Sequence, residues 1–538
     1  MNGRTRLFIK NSVIVLMLMM LASIALPVYA FDCEGLAKLQ FPHTTITMAE
    51  AVAAGTLEPS KGMPIRDLPA FCRVAATLKP SSDSSIRVEV WLPQTGWNGR
   101  IKGTGNGGLA GTIAYPSLAS GLRRGYAVAN TDMGMAVLPA ENAGIFIDRP
   151  ERWADWGYRS THEMTVLTKQ LVKAYYGQDA KRSYFVGCST GGEQALMEAQ
   201  RFPDDYDGIV GGAAANNRTG VHVSILWNFV VTQRAPASYL SSAKLAMLSK
   251  AVLNACDALD GVKDGLIVDP PKCNFDPTAL RCKAGDQEDC LTAAQVETVE
   301  AIYAGPKDPR TGESLYPGLA KGGESGWGRL FASPGSAHTA PYTPIFEWAF
   351  GVNWNWHAFD FDHDVVTFQG RLASAVNATN PDLDPFREHG HKLLMYHGWN
   401  DSVVAPGEAI KYYQAVVTRD KEQSSKDKHK KDVASQSAPI PVDSFYRLFM
   451  VPGMEHCGGG PGPGDFNALD AVVKWVEQGI APDRLIVTQA VSAGDDHKQI
   501  QERLLCPYPS VAQYRGDGDI NDASSYRCAA GVSPRLRP

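Results

Sequence analysis

Three residues, far apart in the chain but each following an apolar run, have the types and spacing for acyl-transfer chemistry. Gly187-Cys188-Ser189-Thr190-Gly191 holds a serine between glycines two residues away on each side. Tyr184-Phe185-Val186 before it reads as a strand, and Glu193 to Arg201 after it reads as a helix. A sharp turn between strand and helix exposes a serine hydroxyl at the carboxyl edge of a sheet. That hydroxyl becomes a useful nucleophile only when a base takes its proton and a carboxylate orients the base. In strand–turn–helix sites of this kind both helpers follow the serine, after later strands. Leu393 to His397 is one such strand, with Asp401 in the loop beyond it; Phe445 to Met450 is the next, leading to His456. His397 ends an apolar strand and reads as a packing residue, and His162, opening an amphipathic helix, reads as structural. Asp257, Asp260 and Asp264 compete for the carboxylate role from another part of the chain.

Acyl transfer also needs donors for the oxygen that becomes negative. One is the backbone N–H after the nucleophile, here that of Thr190. Gly103 to Gly111, "GTGNGGLAG", follows a strand around Arg100 to Lys102 and offers a second, from Gly107 or Gly108. The same glycines are no phosphate loop, because no Lys-Ser or Lys-Thr follows them.

The segment Cys256 to Leu266 packs Asp257, Asp260 and Asp264 with two glycines into eleven residues. Such hard oxygens on flexible turns suit Ca²⁺ as well as they suit a solvated acidic turn, although the spacing is not that of an EF-hand. His357 to Asp364 alternates aromatic and acidic positions and reads as a half-buried extended segment rather than a metal site.

The elements that must position these groups alternate between Ile86 and Gly212: Val88 to Leu92, Tyr126 to Ala129, a helix from about His162 to Tyr176, then Tyr184 to Val186. This rhythm predicts a mainly parallel sheet with helices on its faces. It lapses from about Asn216 to Pro385, where Cys, Gly, Pro and Trp dominate, and returns at Leu393. The organisation expected is therefore a catalytic α/β domain, residues 31–215 and 386–538, interrupted by a lid, residues 216–385. Trp327, Trp348, Phe350, Trp354 and Trp356 read as lid core, with apolar walls for an aromatic acyl group as a further use. Arg419 to Val442, lysine-rich and polar, reads as a solvated loop.

The chain has 538 residues, 44% hydrophobic and 20% charged, enough for a sizeable core. Residues 1–30 carry Arg4, Arg6 and Lys10 before an apolar run and end in Val28-Tyr29-Ala30, the pattern of a cleaved export signal. The remaining chain has 49 basic and 57 acidic side chains, a net charge of −8 that argues against nucleic acid and anionic membranes as partners. Its ten cysteines, in an exported protein, point to disulfides. Local spacing favours Cys282 with Cys290 and Cys506 with Cys528.

"GTGNGGLAG", "GCSTGG", "FPDDYDGIVGGAAANN", "CDALDGVKDGLI", "YHGWNDSVVAP", "PGMEHCGGGPG" and the closing "CPYPSVAQYRGDGDINDASSYRC" together resemble the tannase and feruloyl esterase family, which includes a terephthalate-monoester hydrolase. The resemblance implies an α/β-hydrolase fold with a large inserted lid, and Ser189, Asp401 and His456 as the triad. It implies lid calcium held by Asp257, Asp260, Asp264 and the carbonyls of Val262 and Leu266. It also implies disulfides Cys33–Cys72, Cys188–Cys457, Cys256–Cys273, Cys282–Cys290 and Cys506–Cys528. The second bridge would tie the nucleophile turn to the glycine-rich histidine loop. The expected function is a secreted or periplasmic serine carboxylesterase for hydroxycinnamic or hydroxybenzoic esters, using no organic cofactor. Terephthalate monoesters are the alternative substrate, disfavoured by the absence of Lys and Arg between Leu330 and Gly370. A calcium-stabilised binding protein without turnover is the rival from another class.

Overall fold

The computed structural model describes residues 31–59, 63–109, 111–135, 143–329, 340–429, 440–492 and 498–531. Residues 1–30, read above as an export signal, lie outside them. Nine strands form one sheet: β1 (Thr44–Val52), β2 (Phe71–Leu78), β3 (Ile86–Pro93), β4 (Arg100–Thr104), β5 (Ala127–Thr131), β6 (Arg182–Cys188), β7 (Gly208–Gly212), β8 (Lys392–Gly398) and β9 (Tyr446–Val451). Their spatial order is β1-β2-β3-β5-β4-β6-β7-β8-β9. The first three pairings are antiparallel and all pairings from β5 to β9 are parallel.

Pattern and position agree along these strands. β2 alternates buried and half-buried side chains, as near the rim of a sheet, whereas β5 and β7 are buried at every residue. Helices cover both faces. Met164, Leu167 and Leu171 of helix Ser160–Tyr176 pack with Val88, Val90 and Phe185 on one face, as do Ala195 and Leu196 of helix Thr190–Arg201. Leu118 and Leu122 of helix Tyr115–Leu122, with Leu469 and Val472 of helix Ala468–Gln478, pack against Trp91, Tyr184 and Phe449 on the other. The last of these helices is bounded by sequence: Asn467 caps its start and Gly479, at φ +72°, ends it.

The insertion leaves after β7 and returns before β8, and its two ends are tied: the Ala378 N–H donates to the Asn216 carbonyl at 2.7 Å. Helices Arg218–Gln233, Ser242–Cys256, Ala293–Ala304, Thr343–Phe350 and His363–Val376 build a separate core around Phe229, Trp327, Phe346 and Trp348. The residues of the sheet domain joining that core include Leu109 after β4, Met133 after β5, Ala215 after β7 and Val404 after β8. Each follows the carboxyl end of a strand, so the insertion covers that edge of the sheet.

Two local expectations are corrected. Arg419 to His429 is helical, the continuation of Gly407–His429, not a loop. Arg419 is anchored there by Asp382 and Asp384 at 2.7 and 2.6 Å. His357 to Asp364 is not extended: a short 3₁₀ turn, Trp356–Ala358, leads to a helix starting at His363. Its acidic residues serve as turn acceptors, with Asp360 taking the Asp362 N–H at 2.9 Å.

Candidate active site

Ser189 sits between the end of β6 and the start of helix Thr190–Arg201, with φ +64° and ψ −117°. A non-glycine residue in this conformation carries backbone strain on the order of 1–3 kcal/mol, which surrounding structure must hold. The hold is visible: the Ser189 N–H donates to the Gly212 carbonyl at 2.9 Å, and the Ser189 carbonyl accepts from Ala215 at 3.2 Å. The crowding explains the glycines. A Cβ on Gly187 would lie 2.4 Å from the Gly191 carbonyl oxygen, and one on Gly105 2.4 Å from the Gly191 Cα.

The three predicted residues meet. Ser189 Oγ is 2.9 Å from His456 Nε2, and His456 Nδ1 is 2.7 Å from Asp401 Oδ2. Asp401 is buried, and its other oxygen accepts the N–H groups of Val403 and Val404 at 2.8 and 3.0 Å. A carboxylate can only accept, so His456 carries its proton on Nδ1 and leaves Nε2 to receive the serine hydroxyl. The Asp401 and His456 loops are laced directly: the Trp399 N–H donates to the Val451 carbonyl at 2.9 Å, and Asn400 to Met454 at 3.0 Å.

His397 does more than pack. Its Nε2 lies 3.0 Å from the Val404 carbonyl and 3.1 Å from Asp401 Oδ2. Because the carbonyl only accepts, Nε2 bears a proton and Asp401 receives a second imidazole donor. Burial alone would raise the Asp401 carboxyl; donors from His397 and His456 overcome this and hold it well below the usual carboxylate range. His162, by contrast, is stacked on Phe202 and lies 2.6 Å from Asp205.

The five disulfides are Cys33–Cys72, Cys188–Cys457, Cys256–Cys273, Cys282–Cys290 and Cys506–Cys528. Cys188–Cys457 joins the residue before Ser189 to the residue after His456, with Cα atoms 5.9 Å apart.

Thr190, Gly107 and Gly108 gather beside the serine. The Gly191 N–H donates to the Asn106 carbonyl at 2.8 Å, and Thr190 Oγ1 donates to the Gly108 carbonyl at 2.5 Å. The Asn106 N–H is already taken by Gln194 at 2.8 Å. Among the described residues the N–H groups of Thr190, Gly107 and Gly108 have no acceptor. Arg218, the first residue of its helix, donates to Thr190 Oγ1 at 2.9 Å and to Glu193 at 2.7 Å, a buried contact the sequence motifs did not signal.

Family comparison agrees with this architecture. The profile described as tannase and feruloyl esterase matches residues 72–529. The chain belongs to the tannase and feruloyl esterase family. It is 37% identical to an uncharacterized esterase of Xanthomonas campestris pv. campestris, over 94% of this chain and 92% of that one. It is 33% identical to a probable feruloyl esterase B-2 of Aspergillus terreus, over 91% and 93%. The crystal structure of feruloyl esterase B from Aspergillus oryzae matches with TM-score 0.80 and 30% identity, over 92% and 99%. Tannin acyl hydrolase from Aspergillus niger shares the fold, with TM-score 0.72 and 22% identity over 91% and 92%. This family member is a carboxylic ester hydrolase of the α/β-hydrolase fold.

The acidic loop of the insertion is compact. Asp257 accepts from Asp264 and Gly265 at 3.2 and 3.0 Å, Asp260 from Val262 at 3.0 Å, and Asp264 from Leu266 at 3.1 Å. Asp264 also pairs with Arg503 at 2.7 Å.

Proposed function

We propose that the protein is an exported serine esterase that cleaves esters of hydroxycinnamic or hydroxybenzoic acids through an acyl-enzyme. The observation that carries this reading is the unbroken chain Ser189 Oγ, His456 Nε2, His456 Nδ1, Asp401 Oδ2, with links of 2.9 and 2.7 Å. His456 takes the hydroxyl proton as Ser189 attacks the ester carbonyl. Asp401 stabilises the imidazolium without itself becoming protonated. The tetrahedral oxygen is held by the Thr190 N–H and one glycine N–H of the loop after β4. Collapse breaks the ester C–O bond, and His456 returns the proton to the departing alcohol. Water, deprotonated by His456, then attacks the acyl-serine and releases the acid and the serine.

The aromatic acyl group is argued from the aromatic insertion above the strand ends and from the feruloyl esterase names of the relatives. Export is argued from the character of residues 1–30 and from five disulfides, which persist in oxidising compartments. Incubating the purified protein with methyl ferulate, methyl gallate and a terephthalate monoester tests the substrate class. Turnover of the first or second, lost in Ser189→Ala, is expected. Turnover of the third alone would replace the substrate assignment, and turnover of none would favour the binding-protein rival.

The acidic loop has the hard oxygen donors that calcium takes, although among the described residues Asp257, Asp260 and Asp264 are not a group whose carboxylates gather closely enough to share an ion. Burial, more than the nearby Asp264 and Asp257 carboxylates, pushes Asp260 up to about 6 against the Val262 N–H. Gly261 and Gly265 take positive φ, +98° and +81°, and the Val262 and Leu266 carbonyls would complete the donor set. Calcium there would supply structural cross-linking of the insertion, with no part in the acyl transfer.

A further inference from the structure

We infer that Gly108 supplies the second oxyanion N–H, and that the Thr190 side chain, held by Arg218 and Glu193, is the group that positions it. This rests on the serine esterase reading above and assigns a task to side chains that never touch the reacting atoms.

Three peptide units follow β4 in turn. The Asn106–Gly107 unit is pinned because its carbonyl accepts the Gly191 N–H at 2.8 Å. In a trans peptide the N–H points opposite to the carbonyl, so the Gly107 N–H is directed away from the nucleophile helix. The Gly108–Leu109 unit is pinned because its carbonyl accepts the Thr190 hydroxyl at 2.5 Å, and the carbonyl of Leu109, in the unit after it, accepts Trp156 Nε1 at 2.8 Å. The unit between them carries the Gly108 N–H. With both neighbours fixed, that planar unit has little torsional freedom, and its N–H has no acceptor among the described residues. Gly108 has φ +60°, and a Cβ built there, like one on Gly107, would meet no atom within 4 Å among the described residues.

The Thr190 hydroxyl is a rotor, and Arg218 decides its direction. A guanidinium has donors only; with Arg218 Nη2 donating to Thr190 Oγ1 at 2.9 Å, the hydroxyl proton is left for the Gly108 carbonyl. Glu193 accepts from the same guanidinium, which also lies over the Trp156 ring at 5.0 Å. Arg218 and Glu193 are 3% and 0% exposed, so solvent does not compete for these bonds. Arg218 opens the first helix of the insertion, so its side chain connects the lid to the Thr190–Gly108 contact.

The negative charge develops after substrate has bound, so misplacing one N–H weakens the transition state more than the bound ester. The test is steady-state kinetics with 4-nitrophenyl butyrate, a probe independent of the aromatic assignment. Thr190→Val keeps volume and backbone N–H but removes the hydroxyl; kcat should fall about 10- to 100-fold with KM within about twofold. Thr190→Ser should stay within about threefold of wild type, and Arg218→Lys, lacking the fork, should fall between them. Inhibition by phenylboronic acid, which forms a tetrahedral adduct on serine, should weaken in Thr190→Val in proportion to kcat. Wild-type kcat in Thr190→Val, or equal losses in the valine and serine variants, would overturn the inference while leaving the esterase reading intact. A wild-type enzyme without turnover would remove both.

Discussion

At the scale of single residues, the hydrogen-bonded Ser189, His456 and Asp401 are legible because the proposed chemistry restricts where each can stand. A serine in a glycine turn between strand and helix, then an aspartate and a histidine each just past a later strand, leaves few candidates. His397 is the residue that sequence reasoning undervalued. Nothing in an apolar strand end announces that the loop beyond it curls back and brings Asp401 within 3.1 Å. Replacing His397 with Phe should raise the Asp401 pKa toward its ordinary value, since a depressing donor is lost. A depressed carboxyl contributes stability that is present above its unfolded pKa, about 4, and lost as pH falls through the folded value. His397→Phe should therefore unfold at higher pH on the acid side, with kcat reduced several-fold at neutral pH. Acid titration followed by circular dichroism checks the first, and an unchanged acid midpoint would show that His397 does not act on Asp401. Lys102 offers the opposite sign. Burial lowers its pKa to about 8, so its penalty is largest below pH 8 and disappears between pH 8 and about 10.5, where the unfolded chain also loses its proton. Lys102→Met should raise stability at pH 7 by about 1–3 kcal/mol. That gain should shrink as pH rises through this window; a gain independent of pH would mean packing alone.

At the scale of elements, strands were easier to read than helices with polar surfaces. The buried parallel strands are short apolar runs bounded by turn residues, and β6, β8 and β9 fall within a residue or two of the expected positions. Helix Gly407–His429 was missed beyond Arg419 because "RDKEQSSKDKH" has no apolar stripe. Its buried face, with Ile410, Tyr413 and Val416 in the core, stops short of Arg419, where ion pairs such as Arg387 with Asp420 at 2.6 Å tie the helix to the domain. The alternation in His357 to Asp364 misled for the converse reason, as its acidic side chains satisfy turn and helix-start N–H groups. The element most dependent on a covalent tie is the histidine loop, where Gly458, Gly459 and Gly460 all take positive φ. With Cys188→Ala and Cys457→Ala together, His456 should lose its fixed distance to Ser189, and kcat should fall at least about tenfold. Unchanged kinetics in the double variant would mean that the paired backbones of the Asp401 and His456 loops suffice.

At the scale of the whole molecule, the chain is a sheet whose carboxyl edge is covered by a long insertion. The lapse and return of the strand–helix rhythm made that insertion visible, but not its contacts. The link from Arg218 through Thr190 to Gly108 joins residues that are 28 and 82 positions apart in pairs, and only folding brings them together. Calcium acts at this scale too. If the acidic loop holds the ion, a chelator should lower the melting temperature, and added Ca²⁺ should restore it in a concentration-dependent way. Asp260→Asn should blunt both effects, and a melting temperature indifferent to chelator would exclude a stabilising ion. The account as a whole turns on Ser189 carrying the acyl group. Rapid quenching of the enzyme with methyl ferulate, followed by mass analysis of the peptide containing residues 182–201, tests this directly. The expected result is a feruloyl adduct on Ser189 in wild type, with none in Ser189→Ala. Turnover of the ester by Ser189→Ala, or an acyl group found on another residue, would contradict it.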